Sequence, residues 1–385
     1  MVDQPGPPAP LPPGRPAGGP PAGAPTGVPA PWAPGGPGPV PQPSWAAGTA
    51  PAAGGPPPAG EVRRAPEPPA LPVESRAYHQ FYRTPSHAWW KPLAVVALVV
   101  GGAIHLSVGL SLAGIVVDLL TGRLEVADLQ SFTLSLTPGL FTANNLVLAS
   151  LIPLGMLAQW AVYGQTPRWL SSVQGGLRWR WLAICTAVTL PVLLAVTVVE
   201  LVLSPVEWVG TDVVLWLVLV LLTTPLQAAG EEYGLRGTLN RAVAAWVPDP
   251  RVSFLVGAVV SSVVFMFLHA ALDPWLNVYY FCFGMVACVL CWRTGGLEAA
   301  IALHVVNNVI AFVVTILTGQ MDSTFERGVG TASPAVLIQV LVLALTAVLI
   351  DRIFARTRMR RITAPGAPNG AADAGSPSPA GYATA

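Results

Sequence analysis

From Lys91 onward the chain breaks into apolar runs of roughly twenty residues, the length an α-helix needs to cross the hydrocarbon core of a bilayer. Eight such runs fit, at about 92–120, 139–163, 181–203, 212–240, 252–272, 275–292, 296–317 and 334–354 by this length rule. In lipid every backbone N–H and C=O must be paired inside the spanning structure, and runs this long pair them as helices. The expected fold is therefore all-α, a polytopic transmembrane bundle of eight spans. With 53% hydrophobic and 10% charged residues and a mean hydropathy of +0.58, the 385-residue chain is too apolar for a water-facing surface.

Outside the spans the composition changes. Residues 1–75 are Pro, Gly and Ala with few large side chains, and they lack the basic start and apolar core of a secretory signal. Such sequence buries too little surface to offset chain entropy and is expected to be a disordered cytoplasmic tail, as is 363–385. The membrane domain is placed between them, at 76–362. Loops that face the cytoplasm collect Lys and Arg. An inside N-terminus puts Arg63, Arg64, Arg76, Arg83 and Lys91, then Arg168, Arg178 and Arg180, then Arg241 and Arg251, then Arg293, then Arg352, Arg356, Arg358, Arg360 and Arg361 on one side. Only Arg123 and Arg327 fall on the other, so both termini are expected inside. The Ala, Gly and Pro richness points to a G+C-rich bacterium and hence to the plasma membrane. The basic residues form no patch for nucleic acid. Cys185, Cys282, Cys288 and Cys291 lack metal-type spacing and read as small apolar residues.

An ionisable side chain within a span is costly unless paired or hydrated, which makes each one a functional candidate. These are His105, Glu200, Glu231, Glu232, Arg236, His269, Glu298 and His304. Glu232 and Arg236, at i and i+4, share a helix face and can pair, which leaves Glu231 pointing about 100° away without an evident partner on its own helix. Phe265 and His269 have the same spacing, so the phenyl ring shields the imidazole. His304 and Asn308 again share a face, and Asn307 should point elsewhere. Each pair alone also fits a plain structural role: an interfacial cluster, a core histidine bonded to a carbonyl, or interhelical hydrogen bonding. Polar groups on three different spans converge only where there is a site.

Glu231-Glu232-x-x-x-Arg236, Phe265-x-x-x-His269 and His304-x-x-x-Asn308, in this order on separate spans, resemble the motifs of the CPBP family of intramembrane proteases. That family includes type II CAAX prenyl endopeptidases and bacterial Abi-type proteins. Arg236-Gly237 and Thr294-Gly295-Gly296-Leu297 strengthen the likeness, which covers about 180–317 by the span limits above. Leu235 stands where an aromatic residue is common, and Glu298 where a tryptophan is common. The resemblance implies a CAAX-protease-like bundle and an endopeptidase that cuts a membrane-associated protein or peptide, with membrane lipid around it. It implies that Glu231 with His269 orients and deprotonates water, that His304 and Asn308 donate to the oxyanion, and that Glu232, Arg236 and Phe265 support them. No cofactor is called for in this reading. The alternative is Zn²⁺ held by Glu231, His269 and His304, assembled from three spans in the absence of an HExxH helix.

Straight spans pose one difficulty. They put Glu231 and His304 in the half nearer the basic loops, while His269 falls about 25 Å from the start of its helix. Helix tilt, a fifth span beginning below the membrane surface, or a break near Pro225 would reconcile them. The rival functions are an ion-coupled transporter and a catalytically silent scaffold or bacteriocin-immunity protein.

Overall fold

The computed structural model describes residues 68–131, 136–321 and 327–368, so the expected tails fall mostly outside the described residues. Among those described, eight helices are long and apolar enough to cross a membrane. They are α1 Lys91–Leu120, α2 Pro138–Tyr163, α3 Trp179–Leu203, α4 Val213–Ala244, α5 Pro250–Leu268, α6 Pro274–Thr294, α7 Glu298–Leu317 and α8 Val336–Phe354. The chain is a polytopic helical membrane protein. Prolines sit in the first turn of α1, α2, α5 and α6, where their missing N–H has no intrahelical partner to lose. Asp249 and Asp273 cap α5 and α6 by accepting from backbone N–H groups of the first turn.

Helix α7 lies at the centre, packed on α3, α4 and α6, while α1 and α2 pack together and α2 packs on α4. Its start is fixed by polar contacts. Glu298, fully buried, receives Arg178 through Nε–Oε1 at 2.9 Å and Nη2–Oε2 at 2.6 Å. Arg178 also donates to the Thr294 carbonyl at 2.9 Å. Gly295 turns the chain at φ +69°, a conformation that favours glycine, and Leu297 N–H donates to the Ser171 carbonyl at 2.9 Å. Glu298, which departs from the family pattern, is thus the anchor of the helix that carries His304.

The flanks of the first and last spans meet. Strands β1, Arg76–Ala77, and β2, Ile362–Thr363, pair antiparallel, which puts the start of α1 and the end of α8 at the same face. Residues 68–75, expected within the tail, lie against the fold: Gln165 donates to the Ala70 carbonyl and Gly366 N–H to the Pro72 carbonyl. Beyond β1, Tyr78, His79, Gln80, Phe81 and Tyr82 are buried. The rings of Tyr78, Phe81 and Tyr82 face Arg241, whose guanidinium stands 3.8 Å from the Tyr78 ring centroid.

Asp118, an ionisable group in α1 absent from the candidates above, is buried as a helix cap. It accepts from Thr137 Oγ1 at 2.5 Å, Gly139 N at 3.0 Å and Leu140 N at 3.2 Å at the start of α2. His105, by contrast, is exposed, and its Nδ1 bonds the Gly101 carbonyl one turn back at 2.7 Å.

Candidate active site

The carboxylates of α4 sit where the helix changes its winding. Val213–Glu232 is α-helical, Tyr233–Leu239 is a π-helix, and Asn240–Ala244 returns to α. A π segment widens the turn and commonly marks functional positions. Helix α4 is not broken at Pro225. Glu232 and Arg236 form the expected pair, Oε1 to Nη1 at 3.0 Å, and both side chains are fully buried. The guanidinium also lies 4.5 Å from the Phe265 ring centroid, so burial removes it from water and gives it an aromatic face in exchange. It does not snorkel.

Glu232 has a second partner. His304 Nδ1 lies 2.7 Å from Glu232 Oε1; a carboxylate only accepts, so this nitrogen carries the proton and donates. The other ring nitrogen, Nε2, faces Glu231 Oε2 at 3.8 Å. Glu231 does have a partner on its own helix, contrary to the expectation: Gln227, one turn back, donates Nε2–H to Glu231 Oε1. The i, i+4 spacing that pairs the other motif residues applies to Gln227 equally, so this contact is legible in the sequence.

Amides extend the network. Asn308 donates to Gln227 Oε1 at 3.3 Å, and Asn307 donates to Asn308 Oδ1 at 3.2 Å. Tyr279 of α6 donates to Asn307 Oδ1 at 3.1 Å. Asn307 therefore does not point away, because the 100° step from Asn308 is spanned by two amides that reach toward each other. Tyr279 comes from another helix, and no spacing along the chain announces it.

His269 lies outside the span in which it was expected. Helix α5 stops at Leu268 instead of running to 272, because Ala270 adopts φ +49° and Asp273-Pro274 starts the next helix. His269 is the cap residue, and its Nδ1 donates to the Phe265 carbonyl at 2.8 Å, which leaves Nε2 as the accepting nitrogen. Its ring lies against Phe265, with centroids 4.4 Å apart, and stacks on Tyr280 at 3.9 Å. Arg327, from the α7–α8 connection, donates to the His269 carbonyl.

The depth difficulty is eased from both sides. Helix α4 continues to Ala244, which sets Glu231 about 20 Å from the end that joins α5. Phe265, one turn before His269, then reaches the Arg236 guanidinium and lies 5.8 Å from the His304 ring. Glu231, His269 and Asn308 open onto one cavity of about 760 Å³. Its other walls are largely apolar, with Val99, Phe141, Leu148, Val264 and Phe312 among them. His304 is buried behind Glu231 and is reached through it.

Among the described residues no three His, Cys, Asp or Glu side chains are grouped so as to hold a metal ion. Glu231, His269 and His304 accordingly do not form such a group in this arrangement.

Fold and site together define a multi-pass membrane protein with a buried carboxylate–imidazole cluster at the wall of an apolar cavity. Residues 212–310 match the family described as type II CAAX prenyl endopeptidase Rce1-like. The matched stretch spans every motif residue from Glu231 to Asn308 and bears out the CPBP resemblance, which supports a CAAX-type membrane endopeptidase at the level of the family. No curated protein and no solved structure matches the chain.

Proposed function

We propose that the protein hydrolyses a peptide bond of a membrane-associated protein or peptide, with Glu231 as the general base toward water. The observation that carries this reading is the placing of Glu231. One oxygen is tied to Gln227, the other faces His304, and the carboxylate lies on the cavity that also receives His269 and Asn308. A base so held loses no orientation as it takes a proton. His269, its Nδ1 committed to the Phe265 carbonyl, offers Nε2 as a second acceptor for the same water. Asn308 retains a second amide hydrogen beside the one given to Gln227, and it serves the oxyanion that develops on the substrate carbonyl. Glu232 and Arg236 hold His304 in one tautomer with its proton on Nδ1, so its Nε2 has no hydrogen to give the oxyanion and His304 serves to position the carboxylates around it. We further propose that the basic flanks face the cytoplasm of a bacterial plasma membrane.

The test is cleavage of a labelled membrane-peptide library by the purified protein in liposomes, beside Glu231→Gln, with and without a chelator. Cleavage by the wild type, lost in the variant and indifferent to chelator, is expected. Loss with chelator would point to a metal, and a wild type that cuts nothing would leave the family's chemistry unexpressed in this chain.

A further inference from the structure

We propose that a second cavity, entered between α3, α7 and α8, supplies the water consumed at Glu231, an inference that rests on the hydrolytic reading above. This cavity encloses about 200 Å³, and its polar wall is formed by Thr197, Glu200, Asn307 and Gln339. Asn307, Ala311 and Gln339 line the larger cavity as well, so the two spaces share a wall. From that wall the amide chain Asn307, Asn308 and Gln227 runs to the Glu231 carboxylate.

Glu200, in α3, is a carboxylate of the spans that neither the mechanism nor a buried ion pair or helix cap uses. Among the described residues it forms no ion pair, and its hydrogen bond is a long one, accepted from Gln339 at 3.5 Å. Glu200 lies within one turn of the end of α3 and is exposed, so its carboxylate keeps water at the mouth of this cavity. A cavity with four polar side chains on its wall offers water the two to four partners it needs, and has room for several molecules. Function supplies a reason for such a side entrance. A substrate that fills the larger cavity covers the approach past His269 and Arg327, and hydrolysis still requires a water behind it.

The competing occupant is a lipid acyl chain, and the experiment separates the two. Thr197→Cys, Gln339→Cys and Ala311→Cys are treated in liposomes with a membrane-impermeant anionic methanethiosulfonate. Val198→Cys and Ile338→Cys serve as outward-facing neighbours at matched depth, at 50% and 62% exposure in the native residues. The wild type, with Cys185, Cys288 and Cys291 buried and Cys282 half-buried, gives the background rate, and Cys282→Ser is carried in every variant. Because the reagent needs a thiolate, cavity cysteines in contact with water should react about tenfold or more faster than their neighbours. Equal rates would mean an acyl-chain groove and overturn the inference. Thr197→Phe, which narrows the side cavity alone, should then lower kcat several-fold with KM unchanged, and an unchanged kcat overturns the inference even if the cavity labels. An active wild type with unreactive cysteines sinks the water route alone, whereas an inactive wild type sinks the proteolytic reading and the supply role with it.

Discussion

Glu231→Gln keeps the shape of the side chain and removes the base. Turnover should fall by about 10² to 10⁴, the range that general-base catalysis contributes, with little change in folding. The Glu232–Arg236 pair behaves differently because both partners are fully buried. Arg236→Met strands a buried carboxylate and should cost roughly 3–5 kcal/mol, seen as a lower unfolding midpoint in detergent, whereas Arg236→Met with Glu232→Gln should recover most of that loss. The double variant should stay inactive, because His304 has lost its charged acceptor. Recovery of activity along with stability would show that Glu232 only braces the helix. These residues are legible because each contact spans i, i+4 along the chain: Glu232 with Arg236, Phe265 with His269, and Gln227 with Glu231. Tyr279, Tyr280 and Arg327 were not legible, since they reach the site from α6 and the α7–α8 connection, and only packing brings them there.

At the scale of elements, eight spans follow from apolar length alone, and their number needed nothing more. What length does not carry is where winding changes. The π segment at Tyr233–Leu239 contains no proline to announce a change of winding, and the early stop of α5 depends on the backbone at Ala270. Deleting one residue within 233–239 should restore α winding and turn Arg241 and its neighbours by about 100°, with loss of fold and activity together. Gly230 marks the crossing of α2 and α4, where an added Cβ would collide with the Leu148 carbonyl. Gly230→Ala should therefore destabilise by about 1–3 kcal/mol, by overpacking and not by any change of charge. A midpoint unchanged in thermal unfolding would show that the crossing yields more readily than its close contact implies.

For the molecule as a whole, the buried segment 78–82 closes one end of the bundle, and it carries a pH dependence. Burial pushes the His79 imidazole down from its usual 6.5 to about 4, partly opposed by its bond to the Pro250 carbonyl. The unfolded chain then takes up a proton first as the pH falls, so the stability held at His79 is complete above pH 6.5 and drains away between 6.5 and about 4. Midpoints measured across that window should decline in the wild type and decline less in His79→Gln. The sequence allotted this stretch to the membrane domain without showing that it is buried, because five polar and aromatic residues have no periodic signature of their own. The ladder beside it, Arg76–Ala77 with Ile362–Thr363, joins residues made before the first span to residues made after the last. During synthesis the early strand has no mate until the ribosome has passed the final helix, so each span can enter the bilayer in turn while the closing of this end waits for the whole bundle. Biogenesis thus has a built-in last step, and a chain stalled before Ile362 leaves the Arg76 strand unpaired.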